Sequence, residues 1–317
     1  MNVLVTGGAG FIGRWVVGRL LEDENSVWVL DDLSNGISKN LDEFKNNSNL
    51  NITIGSIKDI AVLSELFKNN FDVCIHLAAS IIVQDSIDNP KRTFENDVIG
   101  TFNVLEEARK SNTKFMFMST CMVYDTAQAS GAISENHATK AASPYAGAKL
   151  SGESMVQSYH YGYGLSTVIL RPFNTYGPYQ KVTGEGGVVS IFIQKELSKD
   201  LLNIYGDGTQ TRDFMYVEDC AEFVVQAAYS DEVDGEILNA GVGKDISIND
   251  LAAIICRDRG RIKHVKHIHP QSEIPKLVCD NSKARRLLGW KPKTSLEDGI
   301  EKTRNWIRRE KVIYYGG

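Results

Sequence analysis

Tyr145 and Lys149 stand four residues apart in the string Ser143-Pro144-Tyr145-Ala146-Gly147-Ala148-Lys149. On a helix this spacing puts a phenol and an ammonium on one face. A nearby positive charge favours the phenolate and lowers a tyrosine pKa toward the working pH. Such a group takes a proton from an alcohol or sugar hydroxyl. The same spacing also fits a surface Tyr–Lys contact, so the pair gains meaning only from a second motif. Gly7-Gly8-Ala9-Gly10-Phe11-Ile12-Gly13 follows a short apolar run and opens a helical pattern. Gly7, Gly10 and Gly13 permit a tight turn and close backbone approach to a pyrophosphate seated on the helix N-terminus. Asp31 closes the next apolar run. A carboxylate there accepts both ribose hydroxyls and repels a 2′-phosphate, so NAD is expected over NADP. Asp32 and Asn35 in the same loop are further cofactor candidates or, equally, turn formers.

These residues need a scaffold, and the apolar pattern supplies one. Val3–Thr6, Val27–Leu30, Asn51–Ile54, Val73–Leu77, Phe115–Met118 and Ser166–Leu170 read as buried strands. Ala61–Lys68, Thr93–Lys110 and Tyr145–Tyr161 between them have helical periodicity. The alternation predicts an α/β fold, a Rossmann-like doubly wound parallel sheet. After Pro172 the pattern changes. Gly177-Pro178, Gly184 and Gly186-Gly187 mark loops, followed by helices over Val188–Ser198 and Glu218–Tyr229 and a strand over Glu236–Asn239. The remainder, to about Ile307, reads as short helices and a loop. The expected division is 1–172 with about 216–242 as the cofactor-binding domain, and about 173–215 with 243–317 as a smaller substrate lobe.

The chain has 317 residues, a net charge of −5 and 42% hydrophobic residues, enough for a large core. No basic stripe points to nucleic acid. Met1-Asn2-Val3-Leu4-Val5 is too short for a leader or a membrane span, and no longer run reaches one. Cys74, Cys121, Cys220, Cys256 and Cys279 are scattered and odd in number, which argues for a reducing, cytoplasmic setting and against a disulfide frame or zinc site. His264, His267 and His269 cluster without a carboxylate or thiol at ligand spacing, and are read as a polar strand and loop with no metal.

The ordered motifs resemble the extended short-chain dehydrogenase/reductase family, the NAD-dependent nucleotide-sugar epimerases and dehydratases. The resemblance covers nearly the whole chain. It runs through Gly7–Gly13, Asp31–Gly36, His76-Leu77-Ala78-Ala79, Ser119-Thr120 with Val123-Tyr124, Tyr145 with Lys149, Arg171-Pro172-Phe173-Asn174 with Tyr176-Gly177-Pro178, and Gly206-Asp207-Gly208 with Arg212-Asp213-Phe214. It implies that Tyr145 is the base on the sugar 4-hydroxyl, with Lys149 tuning it and holding the nicotinamide ribose. Thr120 matches the hydroxyl that shares the proton path. Phe11, Ile12, Ile57, Leu77, Ala78, Ala79 and Pro172 would line NAD. Asn174, Val188, Tyr205, Arg212 and Glu273 would hold a UDP-sugar, with Arg212 on the diphosphate and Tyr205 on the base. The family also packs as a homodimer through two helices that match Thr93–Lys110 and Tyr145–Tyr161.

Several positions depart from the family pattern. Ser56 replaces the Asp that usually binds the adenine amine, Asp97 stands where Asn is usual, and Asp125 replaces a common glycine. The second phosphate arginine is missing near Pro270-Gln271-Ser272-Glu273. Arg14 either offers charge to the pyrophosphate or lies on a solvated helix face. Cys121-Met122 after Thr120 matches neither the Asp-Glu of 4,6-dehydratases nor the proton-inert pair of 4-epimerases. A thiol can move a proton, or be a small hydrophobe. Some relatives that dehydrate N-acetylhexosamine nucleotides resemble this Ser-Thr-Cys segment. The expectation is therefore a 4,6-dehydratase acting on UDP-N-acetylglucosamine through a 4-keto sugar, with a 4-epimerase as the alternative. A non-catalytic NAD sensor would be expected to lack Tyr145, Lys149 or Thr120, and all three are present.

Overall fold

The structure, a computed structural model, describes residues 1–127, 131–182, 187–267, 270 and 273–314, with side chains described to Glu310. Gly184, Gly186, His269, Gln271 and Ser272 lie outside the described residues. The strands are β1 (Asn2–Thr6), β2 (Ser26–Asp31), β3 (Leu50–Ile54), β4 (Val73–His76), β5 (Lys114–Met118), β6 (Thr167–Pro172), β7 (Asn174–Tyr176), β8 (Leu202–Tyr205), β9 (Thr211–Arg212), β10 (Phe214–Tyr216), β11 (Ile237–Ala240), β12 (Ile246–Ser247), β13 (Ile262–Val265) and β14 (Lys276–Leu277). Seven of them form one sheet in the order β3-β2-β1-β4-β5-β6-β11. Every pairing in it is parallel, for example Val5 with Val29 and Ile75. This is the doubly wound order, extended by β11 beside β6.

Parallel sheets are covered on both faces, and the period of two along each strand sorts the side chains. Val3, Val5, Val27 and Val29 face one core, packed with Val16, Val17 and Leu20 of α1 (Phe11–Glu22). Leu4, Leu30, Cys74, Phe115 and Phe117 face the other. There they meet Leu63 of α2 (Ile60–Leu66). Beyond α3 (Val83–Asp88) and α4 (Pro90–Thr93), Val104 and Leu105 of α5 (Thr101–Ser111) join the same core, as does Val156 of α6 (Pro144–Tyr163). A third core gathers Val189, Phe192 and Ile193 of α7 (Val188–Leu197). The first core also takes Phe223 and Val224 of α8 (Val217–Tyr229), and the third takes Leu251 and Ile255 of α9 (Ile248–Ile255). After α10 (Ser282–Leu288) comes α11 (Leu296–Tyr314), whose Ile300 and Ile307 seal the third core.

Three expectations need correction. The strand expected to be buried over Asn51–Ile54 is instead the sheet's edge: Ile52 and Ile54 of β3 are 45% and 59% exposed. The helix expected over Thr93–Lys110 is not one α-helix: α4 runs through a π-helical stretch, Phe94–Gly100, into α5. The end of the chain is not only short helices and a loop, because α11 spans 19 residues. Its sequence is charge-rich and buries a narrow stripe, so apolar spacing understates it. Among the described residues no helix is long and apolar enough to cross a membrane, and no group of three or more His, Cys, Asp or Glu could hold a metal. His264 lies in β13, as the polar strand reading expects.

Candidate active site

The site lies at the carboxyl ends of the strands, where chain order reverses between β1 and β4 and open α/β sheets leave a crevice. A cavity of about 410 Å³ opens there. The turn after β1 forms its floor. Gly7 adopts φ +73°, and a Cβ on it would lie 2.7 Å from Ala78 N. A Cβ on Gly13 would lie 2.2 Å from Gly7 O, so α1 can start only where a side chain is absent. Gly10 caps α1 without a side-chain acceptor, which leaves first-turn N–H groups for an anion. Phe11 and Ile12 line the same wall. The Asp31 carboxylate accepts from Ala9 N and Leu33 N, both at 2.9 Å, and so ties the end of β2 to the glycine turn. Burial pushes its pKa up, against the pull of those two N–H groups. Asp32 and Asn35 also line the cavity, but Asp32 accepts from Ser34 N as a turn former and Asn35 accepts from Lys181. This bare-glycine cradle, an uncapped helix start and a carboxylate at the second strand fit a dinucleotide.

The walls come from the expected residues. Ile57, Leu77, Ala78, Ala79 and Pro172 all face the cavity. Ser56 instead makes a local turn, accepting from Lys58 N at 3.3 Å. His76 is buried between Thr6 (Nδ1 to Oγ1, 2.7 Å) and Thr101 (Nε2 to Oγ1, 3.0 Å). Burial and then Lys149 push its pKa down to about 3, so it is a neutral strut under the cofactor wall. Arg14 fits neither expectation. It is buried, pairs with Glu43 at 2.5 Å and stacks on Tyr179 at 3.8 Å, outside the residues that line the cavity.

Tyr145 and Lys149 are brought to the cavity by α6. Ser143 caps the helix by accepting from Ala146 N, and Pro144 takes the first position, where its missing N–H costs nothing. Gly152 lets the helix settle on β5: a Cβ there would sit 2.5 Å from the Phe117 ring. Lys149 thereby reaches Met118 O at 2.9 Å and lies 5.0 Å from the Phe117 ring. Thr120 and Cys121 follow β5 and also line the cavity, with Thr120 Oγ1 accepting from Met122 N at 3.2 Å. Glu153, one turn beyond Lys149, accepts from Ser119 and pairs with Arg171, which fixes the ends of β5 and β6 together. Sequence reading missed Glu153; a charged residue on the apolar face of α6 was its only signal.

The electrostatics correct the expected effect of Lys149 on Tyr145. Burial pushes the Tyr145 phenol above its usual pKa, with Asp97 and Cys121 adding to the rise. The Thr120 hydroxyl pulls the other way. The Lys149 ammonium itself donates to the Met118 carbonyl at 2.9 Å. Burial also pushes the Cys121 thiol up to about 12, so Cys121 keeps its proton at neutral pH.

Asn174 and Val188 line the far end of the cavity, and the buried Asn174 Oδ1 has no partner among the described residues. Tyr205, Arg212 and Glu273 do not line it. Arg212 pairs with Glu273 and donates to Thr211 O and Ile274 O at 2.8 and 2.7 Å. Glu273 also bonds His267 Nε2 at 2.7 Å, and Tyr205 is 46% exposed beside that ring. The sequence reading expected all three as substrate contacts; in the structure they stand outside the cavity lining, with Arg212 and Glu273 paired to each other.

A glycine-turn dinucleotide cradle joined to a Thr-Tyr-Lys group defines a Rossmann-type oxidoreductase-like enzyme. The chain belongs to the extended short-chain dehydrogenase/reductase family of NAD-dependent nucleotide-sugar epimerases and dehydratases. Its residues 4–303 match the family model described as GDP-mannose 4,6 dehydratase. A putative UDP-glucose 4-epimerase of Methanocaldococcus jannaschii is 37% identical over 96% of this chain and 98% of its own. The X-ray structure of Pal from Bacillus thuringiensis is 58% identical, with a TM-score of 0.96 over 98% of this chain and 99% of that one. A dTDP-glucose 4,6-dehydratase of Streptomyces venezuelae, solved with NAD bound, is 29% identical with a TM-score of 0.93 over 100% of this chain and 99% of that one.

Proposed function

We propose that this enzyme is a nucleotide-sugar 4,6-dehydratase acting on UDP-N-acetylglucosamine through a 4-keto sugar. The observation that carries the reading is the Cys121 thiol, held protonated against the cavity beside Thr120. NAD, when bound, supplies the acceptor for the C4 hydrogen and a positively charged ring. Gly7, Gly10 and Gly13 seat its pyrophosphate, Asp31 its adenosine ribose and Lys149 the second ribose. Tyr145 Oη takes the proton from the sugar 4-hydroxyl, with Thr120 Oγ1 in the path. Loss of water across C5 and C6 then needs a proton given to the departing 6-oxygen and one taken from C5; the Cys121 Sγ–H gives the first, and the thiolate it leaves takes the second. The hydride would return from the reduced cofactor to C6 and the Tyr145 proton to C5, so that the net change is the loss of one water. Met122 has no proton to give. Asn174 and Arg212 contact the sugar diphosphate, with Val188, Tyr205 and Glu273 holding the rest of the sugar nucleotide. The cofactor unit in this reading is 1–172 with about 216–242, and the remainder holds the sugar nucleotide. Five cysteines without a disulfide suit a cytoplasmic enzyme.

The Cys121→Ala variant tests the role of the thiol. Proton transfer by a positioned group is worth about 10²–10⁴-fold. The variant should lose at least about tenfold of the water-loss rate, the cautious side of that range, with NAD binding unchanged. Unaltered dehydration in the variant would leave Cys121 as filler. A 4-epimerase is the second reading, favoured by the epimerase name of the 37% identical relative. In it Cys121→Ala should be nearly silent.

A homodimer completes the reading. Phe94 and Phe102 are 54% and 41% exposed, and Ile99 between them is exposed too. They lie on the π-helical stretch and α5, and this apolar surface suits a second copy. Light scattering at micromolar concentration should give twice the chain mass of 35.2 kDa, and a monomer would contradict it.

A further inference from the structure

A second cavity, of about 760 Å³, opens between α1 and α11. It shares no lining residue with the catalytic one. Its volume lies within the roughly 300–1,000 Å³ of small-molecule sites. Helical spacing builds two of its walls. Arg14, Trp15, Gly18, Arg19 and Glu22 come from one face of α1. Lys302, Trp306 and Arg309 stand about one turn apart on α11 and share a face there. Pro178 and Tyr179, in the turn after β7, form the third side. Trp15, Tyr179 and Trp306 are half-buried. The Tyr179 ring centre lies 6.0 Å from that of Trp15 and 4.9 Å from that of Trp306. Trp15 Nε1 donates to Pro178 O at 3.3 Å, which ties the turn to α1.

The charge in this cavity does not cancel. Arg14 has a side chain only 3% exposed. Its guanidinium carbon lies 3.8, 4.7 and 5.1 Å from the ring centres of Tyr179, Trp15 and Phe44. Ring faces hold a cation without neutralising it. Arg14 Nε donates to Asn40 O at 3.1 Å and Nη2 to Glu43 at 2.5 Å, while Nη1 makes no hydrogen bond among the described residues. The three carboxylates of the lining are each matched by a cation of the same lining. Glu43 takes Arg14, Glu22 takes Arg19 at 4.0 Å and Glu218 takes Lys302 at 3.6 Å. Arg308 and Arg309 remain, exposed on the rim with no ion pair among the described residues. A chain with a net charge of −5 thus concentrates surplus positive charge beside a cluster of aromatic rings.

These two features call for one ligand carrying both a flat ring and an anion. Aromatic side chains stack on any nucleobase, because every base has a π-face. Guanidinium groups match phosphate oxygens in geometry and charge. We propose that the cavity between α1 and α11 is a second binding site, for a nucleoside phosphate: the base lies against Trp15 and Trp306, and the phosphate meets Arg14 Nη1, Arg308 and Arg309. The net negative charge of the whole chain points to a free nucleotide rather than a nucleic acid. The proposal is independent of which reaction the catalytic cavity performs.

The four tryptophans provide a local reporter. Trp15 and Trp306 line the cavity, whereas Trp28 packs on Phe71 and Trp290 on Phe223. Enzyme labelled with 5-fluorotryptophan and saturated with NAD gives fluorine NMR signals that Trp15→Phe and Trp306→Phe assign. ADP titrated to millimolar concentration should move the Trp15 and Trp306 signals on one saturating curve and leave the other two in place. Adenosine lacks the phosphates and pyrophosphate lacks the ring. Each should bind at least about tenfold more weakly, the effect of losing a charged hydrogen bond or a stacked base. Arg308→Glu combined with Arg309→Glu should weaken ADP by roughly tenfold or more. Arg308→Gln with Arg309→Gln serves if that protein does not fold. Trp15 and Trp306 signals that ADP leaves unmoved would overturn the proposal. So would shifts of equal affinity in the double variant, which would place the ADP in the catalytic cavity, or adenosine binding as tightly as ADP.

Discussion

Tyr145→Phe is expected to lower kcat by at least about a hundredfold, and up to about 10⁴-fold, the range for a lost positioned proton acceptor. The substitution removes one oxygen and nothing else of size. Tyr145 is buried, so the ring of Phe fills the same space, and the backbone N–H still donates to Ser86 Oγ at 3.2 Å. NAD affinity and thermal midpoint should therefore stay near those of the unmutated protein. The phenol is held above its ordinary pKa by burial, Asp97 and Cys121. Turnover should accordingly rise with pH up to the loss of the Lys149 charge. Steady-state kinetics with a sugar nucleotide, run beside a binding titration with NAD, checks both halves. Near-normal turnover in Tyr145→Phe would move the base elsewhere.

Arg171→Met should cost about 3–5 kcal/mol of stability, the usual result of removing one partner from a buried ion pair. Arg171 is 4% exposed, and its Nε donates to Glu153 Oε1 at 2.8 Å while its plane lies 4.7 Å from the Tyr124 ring centre. Burial works against the guanidinium charge, and Glu153 more than offsets it. Without Arg171 the Glu153 carboxylate stays buried with Ser119 as its described donor. Thr120 follows Ser119, so the damage should reach the site as a lower kcat in whatever fraction stays folded. Urea unfolding measures the first effect. A loss below about 1 kcal/mol, the size of an exposed pair, would mean that Arg171 and Glu153 do not form the buried pair described.

The sheet was legible because most of its strands are short apolar runs, some closed by glycine, as Gly7 closes β1 and Gly55 closes β3, and parallel strands covered on both faces read that way. The glycine turn was legible for a sharper reason: Gly7 and Gly13 have no room for a Cβ. Tyr145 and Lys149 were found from one-turn spacing on a helix that Ser143 and Pro144 announce. What spacing could not give was direction. It put an ammonium beside a phenol, but Lys149 turns to Met118 O and burial governs Tyr145. Likewise Arg212 carries the right chemistry for phosphate, yet its partner is Glu273, 61 residues on. The π-helical stretch left no mark either, since its residues keep a helical apolar rhythm. Such features depend on contacts between distant segments, which periodicity does not encode.

The central claim is loss of water from a nucleotide sugar, and product mass tests it most directly. Purified enzyme with NAD is incubated with UDP-N-acetylglucosamine, beside UDP-glucose and dTDP-glucose, and the products are read by mass spectrometry. The account predicts a UDP-N-acetylglucosamine product lighter by one water. A product of unchanged mass and altered C4 configuration would contradict it and give the enzyme to the 4-epimerase reading.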